Sequence, residues 1–93
     1  MKIVLSPHFT RTFKKVVKRQ PDLQLKIEKA IKLLEKNLYH PSLFTHKLSG
    51  DLEGLWSCSC GFEYRIVFSL EKITGSKGQI ILLIDIGTHE EIY

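Results

Sequence analysis

The chain has 93 residues, 43% of them hydrophobic and 26% charged, which suits one compact domain over residues 1–93. No apolar stretch reaches about 18 residues and no signal peptide is visible, which argues against a membrane or secreted protein and leads us to expect a cytoplasmic one. The net charge of +4 is uneven: residues 1–47 hold eleven basic and three acidic side chains, whereas residues 48–93 hold three and seven. Such asymmetry is compatible with binding to a nucleic acid, with binding to an acidic partner protein or with an ordinary solvated surface. Charge alone does not distinguish these alternatives.

The first half of the chain predicts a strand followed by two helices. Lys2–Leu5 is rich in β-branched residues and predicts a short strand. Ser6 and Pro7 suit the N-cap and first turn of a helix that Pro21 ends, and Asp22 is a candidate N-cap for a second helix reaching about residue 38. The apolar residues that recur on one face of each helix are Phe9, Phe13, Val16, Val17, Leu23, Ile27, Ile31, Leu34 and Leu38. These patterns predict a helical hairpin.

The second half predicts strands, because after Gly50 the apolar period changes to two. Residues 39–51 are expected to form a loop. Alternation over residues 55–60 and 63–70 predicts two strands joined by a hairpin bend at Gly61. A flexible turn at 74–78 then precedes a strand over 79–86 that is buried on most of both faces. The resulting fold class is α+β, with an N-terminal strand and a helical hairpin packed on one face of an antiparallel sheet that ends in a three-strand meander.

The two cysteines, Cys58 and Cys60, lie two positions apart on a predicted strand and therefore point to the same face. So close a pair is poorly placed for a disulfide. We interpret them as reduced, small apolar side chains rather than zinc ligands, because no second pair of ligands accompanies them.

The predicted sheet brings several chemically active side chains to the face away from the helices. His46 enters the sheet from the loop, Arg65 lies on the middle strand, and His89 leaves on a mobile tail after the last strand. A cleft that also contains Glu63 and Tyr93 is therefore predicted. Such a set suits metal-independent cleavage of RNA, since histidines exchange protons as base and acid while arginine binds phosphate oxygens.

Several residues that could carry chemistry also have an ordinary structural interpretation. His40 is expected to be a turn residue, and His8 an exposed side chain of the first helical turn. Arg65 could pair with Glu63 along its own strand. Trp56 is interpreted as a core or sheet-edge aromatic rather than a base-stacking platform. Residue spacing by itself does not establish an enzyme.

Three motifs together resemble the RelE/ParE toxin superfamily, and most of all its YafQ-like branch. They are His46-Lys47-Leu48-Ser49-Gly50, the strands Leu55-Trp56-Ser57-Cys58 and Glu63-Tyr64-Arg65-Ile66-Val67-Phe68, and the closing Gly87-Thr88-His89-Glu90-Glu91-Ile92-Tyr93. The resemblance covers essentially the whole chain. It implies a toxin of a type II toxin–antitoxin pair that cleaves mRNA on the ribosome without a metal or other cofactor. The implied partners are a cognate antitoxin, the ribosome and mRNA.

The resemblance also implies roles for single residues. The implied catalytic residues are His46, Glu63, Arg65, His89 and Tyr93. His46 and His89 would share acid–base work and Arg65 would stabilise the phosphorane, while the glutamate would orient a histidine or the ribose and the terminal tyrosine would position a base or phosphate. Lys47 and Tyr64 are expected to bind RNA.

Some positions depart from the pattern of the family. Ser57 and Ser59 stand where its branches carry lysines or a histidine, and Asp85 stands where the YafQ-like branch has an arginine. An acid there is expected to repel phosphate, so the site resembles a hybrid of two branches. ParE-like members inhibit DNA gyrase instead, and the paired His46 and His89 argue against that alternative. A catalytically weak member that acts through antitoxin binding is a third possibility.

Overall fold

A computed structural model describes residues 1–61, 63–75 and 78–93. Within these ranges the strands are β1 (Lys2–Leu5), β2 (His46–Lys47), β3 (Trp56–Ser59), β4 (Tyr64–Lys72) and β5 (Gln79–Thr88). The helices are α1 (Pro7–Arg19), α2 (Leu23–Lys36) and α3 (His89–Ile92), and single 3₁₀ turns lie at Pro41–Leu43 and Gly50–Leu52. No helix among the described residues is long and apolar enough to cross a membrane.

The strands form one sheet in the order β1-β5-β4-β3-β2. The predicted α+β architecture is confirmed, and β3, β4 and β5 form the predicted antiparallel meander. The sheet is not antiparallel throughout, because β1 pairs in parallel with β5 and places Ile3 opposite Ile81. Two helices and three strands separate β1 from β5 in the chain, so no tight hairpin forces them to run in opposite directions.

The segment predicted as a loop over residues 39–51 contains regular structure. Its strand β2 pairs antiparallel with β3, so that His46 lies opposite Ser57 and Lys47 opposite Trp56. Sequence alternation could not indicate this strand, because it has two residues and both are exposed. The pairing anchors His46 to the sheet.

Of the two predicted turns, the structure describes one at its glycine and the other only in part. Gly61 connects β3 to β4 with a φ of +121°, a conformation that glycine adopts freely, which confirms the predicted bend. The turn predicted at 74–78 includes Ser76 and Lys77, which lie outside the described residues. Thr74 and Gly75 form a turn.

Helices α1 and α2 begin where they were predicted to begin, but only α1 has a side-chain cap. The hydroxyl of Ser6 accepts a hydrogen bond from the backbone N–H of Phe9 at 3.0 Å. Asp22 occupies the N-cap position of α2, as predicted, but with φ −67° and ψ −17° its side chain makes no capping hydrogen bond. Helix α2 ends at Lys36, and Leu38 packs half-buried against the core from beyond the helix.

The core lies between the two long helices and the sheet. Its most deeply buried members, each at most 2% exposed, include Phe9, Val16, Ile27, Leu34, Ile66, Phe68, Ile81 and Leu83. Cys58 and Cys60 are free and belong to the same core. Burial raises the pKa of each thiol to about 12, which suits the predicted role as small apolar side chains.

We expect Ser6→Ala to lower the free energy of unfolding by about 2 kcal/mol. The change removes the N-cap of α1 and also the hydrogen bond that the Ser6 hydroxyl donates to the Ile84 carbonyl at 3.2 Å. Urea unfolding measures the effect. Ser49→Ala is the matched control, because Ser49 caps a 3₁₀ turn without a hydrogen bond from its side chain, and it should change stability by less than about 0.5 kcal/mol. Equal losses in the two variants would contradict the capping role.

Candidate active site

Three clefts are lined by residues of β2, β3, β4 and β5, of the turns beside them and of α3, and each cleft shares a residue with each of the other two. Cleft A, of about 350 Å³, is lined by Glu63, Arg65, Thr88, His89 and Glu90. Cleft B, of about 570 Å³, is lined by Ser42, Phe44, His46, Ser59, Gly61 and Arg65. Cleft C, of about 480 Å³, is lined by His46, Lys47, Leu48, Ser49, Asp51, Leu52, His89 and Tyr93.

The three clefts join at three of the predicted catalytic residues. Arg65 lines clefts A and B, His46 lines clefts B and C, and His89 lines clefts A and C. Glu63 and Tyr93 line clefts A and C respectively. All five predicted side chains therefore line clefts that are linked by shared residues.

His46 is exposed on β2 and held in a defined orientation. Its Nδ1 lies 2.9 Å from the carbonyl oxygen of Phe44. A carbonyl oxygen only accepts hydrogen bonds, so this contact places the proton of a neutral His46 on Nδ1 and leaves Nε2 as an acceptor. The ring thus presents a basic nitrogen away from its own backbone.

Arg65 is half-buried on β4, where it lies in register between Ser59 of β3 and Gly87 of β5. Its Nη1 donates a hydrogen bond to the carbonyl of Tyr64 at 3.1 Å, which orients the guanidinium. Among the described residues it forms no salt bridge, so the suggested pairing with Glu63 does not occur. The remaining N–H groups are available to an anion.

The segment that carries His89 is a helix rather than the predicted mobile tail. The hydroxyl of Thr88 accepts a hydrogen bond from the Glu91 backbone N–H, and the Glu91 carboxylate accepts one from the Thr88 N–H at 2.9 Å. This reciprocal capping box starts α3. Gly87 allows the helix to fold back on its strand, because a Cβ there would lie 3.3 Å from the Cβ of Glu91.

The end of α3 is fixed to the sheet by Tyr93. Its hydroxyl donates a hydrogen bond to the hydroxyl of Ser57, a fully buried residue of β3. Its ring lies edge-on to His89, with ring centroids 4.6 Å apart. No described residue hydrogen-bonds the ring nitrogens of His89, which is exposed. The tyrosine therefore orients the histidine and leaves its nitrogens open to a ligand.

The two predicted RNA-binding residues have different surroundings. Lys47 is exposed in cleft C, and its Nζ lies 5.4 Å from the ring centroid of Trp56. Tyr64 is only 5% exposed and packs in the core, where its hydroxyl accepts a hydrogen bond from Gln20. The prediction that Tyr64 contacts RNA is therefore wrong, because its place in the strand alternation turns it toward the helices.

Asp85 does not present a free carboxylate to the site. One of its oxygens contacts His8 Nε2 at 3.1 Å and accepts a hydrogen bond from the backbone N–H of Ile86 at 2.8 Å. It lines none of the three clefts of the described structure. His8, interpreted as merely exposed, is thus a partner of Asp85.

The structural interpretations of His40 and Trp56 hold. His40 caps the 3₁₀ turn at Pro41–Leu43, and its Nδ1 accepts a hydrogen bond from the backbone N–H of Ser42 at 3.2 Å. Trp56 is half-buried and stacks on Phe68, with ring centroids 6.3 Å apart. Neither residue lines a cleft with Arg65 or His89 in the part of the chain that is described.

We expect α3 to loosen in acid through protonation of Glu91. Hydrogen bonds from Thr88 hold the pKa of this carboxyl below its ordinary value of 4.5, with a smaller contribution from the charge of Arg19. A lowered pKa in the folded state means that the stabilisation is complete above about pH 4.5 and is lost as the pH falls through the lowered value. NMR titration of the Thr88 amide proton should show that transition, Glu90→Gln should retain it, and Glu91→Gln should remove it. A midpoint at or above 4.5 would contradict the assignment.

Solved structures of bacterial toxins share this fold. YafQ from E. coli is 20% identical to the chain, with a TM-score of 0.76 over 99% of this chain and 97% of that one. A YoeB/ParE toxin from Agrobacterium tumefaciens is 20% identical, with a TM-score of 0.76 over 96% and 99%. A chain in the YoeB-YefM complex from Staphylococcus aureus is 20% identical, with a TM-score of 0.71 over 96% and 97%. At these identities the likeness establishes the fold.

The sequence itself establishes the family. The chain matches the family described as "Bacterial toxin of type II toxin-antitoxin system, YafQ" over residues 1–93, and it belongs to that family. It is thus a toxin of a type II toxin–antitoxin system, as the resemblance predicted. Toxins of this family are generally ribonucleases. The comparison with curated proteins found no match.

Proposed function

We propose that this toxin is an endoribonuclease that cleaves mRNA on the ribosome and so inhibits translation and growth. The observation that carries the proposal is that each two of the residues His46, Arg65 and His89 line one cleft in common. A proton acceptor, a phosphate-binding cation and a proton donor are the groups that this cleavage needs around one phosphate.

His46 acts as the base. Its Nδ1 proton is committed to the Phe44 carbonyl, so Nε2 accepts the proton of the 2′-hydroxyl as that oxygen attacks the adjacent phosphorus. The contact then stabilises the imidazolium that forms, because a carbonyl oxygen remains an acceptor throughout. The bond that breaks joins phosphorus to the 5′-oxygen of the next nucleotide.

Arg65 and His89 complete the reaction. The guanidinium, oriented by the Tyr64 carbonyl, binds the phosphate oxygens as negative charge develops on the phosphorane. His89 in its protonated form donates a proton to the leaving 5′-oxygen. Tyr93 holds the histidine ring by its edge contact, and Glu63, exposed at the rim of cleft A, orients a histidine or the ribose.

The remaining assignments follow from the same scheme. It uses no metal or other cofactor, and Lys47 in cleft C contributes a contact to an RNA phosphate. The eleven basic residues within positions 1–47 favour a polyanion such as ribosomal RNA. The partner is a cognate antitoxin in a hetero-oligomer, in keeping with the YoeB-YefM complex. We place this single toxin domain, residues 1–93, in the cytoplasm.

Expression of the chain alone in growing bacteria tests the proposal against inhibition of DNA gyrase. Growth arrest with fragmented transcripts and unchanged plasmid supercoiling is the expected result. Arrest with intact transcripts and altered supercoiling would instead identify a ParE-like inhibitor. No arrest at all in the absence of an antitoxin would indicate a catalytically weak member of the family.

A further inference from the structure

Phe44 is an aromatic ring at the site that no core packing explains. Its side chain is 72% exposed, compared with 44% for Tyr93. It lines cleft B together with His46 and Arg65. The hydroxyl of Tyr93 is already hydrogen-bonded and its ring touches His89, whereas the Phe44 ring has no aromatic partner among the described residues.

The backbone of Phe44 is unusual for such a side chain. With φ +49° and ψ +43°, it is the one non-glycine residue at positive φ in the described parts of the chain. Bulky side chains rarely adopt this left-handed conformation, which glycine and asparagine tolerate well. The turn itself would favour glycine or asparagine, so local folding does not explain why a phenylalanine occupies this position.

The backbone on both sides of Phe44 is anchored to the fold next to His46. The preceding Leu43 is 1% exposed and anchors the 3₁₀ turn in the core. The following Thr45 donates a hydrogen bond from its hydroxyl to the Leu38 carbonyl at 2.6 Å. The Phe44 carbonyl itself accepts from His46 Nδ1. One short, well-anchored segment therefore carries both the ring and the proposed base.

We propose that Phe44 stacks on the nucleobase next to the cleaved phosphate and thereby positions the RNA in cleft B. An exposed ring on an anchored backbone offers a face to any base, and a phosphate bound at Arg65 in the same cleft would place a neighbouring base within its reach. The surface that lines this cleft is mostly apolar, and Arg65 with the hydroxyls of Ser42 and Ser59 supplies its polar part, a combination that suits a nucleobase beside a phosphate. The inference rests on the proposed ribonuclease function and names a substrate contact that this function does not require.

Two variants distinguish the contribution of the Phe44 ring from that of its backbone conformation. Phe44→Asn removes the ring but suits the left-handed conformation, so stability should be unchanged or higher. Phe44→Tyr retains the ring. The probe is an mRNA held on programmed ribosomes, with 2-aminopurine at the tested base and a 2′-O-methyl group that blocks cleavage. We expect wild type and Phe44→Tyr to quench its fluorescence, and Phe44→Asn to bind about 10- to 100-fold more weakly without quenching.

The outcomes distinguish this inference from the proposed function. Equal binding and quenching by Phe44→Asn and wild type, or no quenching by wild type at any concentration, would overturn the stacking role. Quenching by wild type without cleavage of the unblocked RNA on ribosomes would leave the stacking role intact and count against the ribonuclease. If Phe44→Asn weakens only antitoxin binding, the ring belongs to a protein interface and the proposal fails.

Discussion

Replacing His89 with alanine is expected to abolish growth inhibition while leaving the fold intact. The side chain is exposed, and the capping box that forms α3 involves Thr88 and Glu91 rather than His89. Loss of a general acid lowers a cleavage rate by about 100- to 10,000-fold, enough to relieve toxicity at ordinary expression levels. Colony counts after induction and cleavage rates on programmed ribosomes measure the effect.

His8→Ala is the matched control for the loss of an exposed histidine, because His8 lies outside the three clefts of the described structure. It removes a surface contact with Asp85 and should remain toxic. Circular dichroism should show that both variants are folded. If His89→Ala remained as toxic as wild type, the assignment of His89 as the acid would be wrong.

Arg65→Ala should reduce cleavage by about 100- to 1,000-fold, the usual range for loss of a donor that stabilises developing negative charge. Arg65 is half-buried and its guanidinium is oriented by the Tyr64 carbonyl, so the change removes a positioned cation. Arg65→Lys keeps the charge but loses the planar fork, and we expect it to recover only part of the activity. Single-turnover cleavage on programmed ribosomes gives both rates.

Lys72→Ala is the control for Arg65, since Lys72 is an exposed basic residue at the far end of the same strand. Its removal should leave cleavage within about two-fold of wild type, as expected for a surface charge remote from the clefts. If the Arg65→Ala and Lys72→Ala variants cleaved at the same rate, Arg65 would contribute only through the overall charge of the protein.

Local signals predicted most of the fold. Ser6 and Pro7 marked the start of α1, and period-two alternation placed Ile66 and Phe68 in the core. The same alternation also turned Tyr64 inward, and the family resemblance, rather than the strand pattern, led to its wrong assignment to RNA. The parallel pairing of β1 and the two-residue strand β2 depend on long-range contacts that no local window contains.

The sequence could predict which residues form the candidate site but not how they are arranged in space. Five side chains separated by up to 47 positions line the linked clefts. The sheet register that brings them together cannot be predicted from any single motif. One signal was available and missed: Thr88-x-x-Glu91 is the pattern of a capping box, which predicts a helix instead of a mobile tail. The contact between Asp85 and His8 joins distant segments and could not be read locally.

The most direct test of the central proposal is to map the 5′ ends of mRNA after induction of the chain alone, in translating cells and in cells whose translation is blocked. New 5′ ends within coding regions should form in translating cells and vanish when translation stops, and His89→Ala should produce none. Ends that persist unchanged without translation would contradict cleavage on the ribosome. Growth arrest with no new ends would contradict the ribonuclease function altogether.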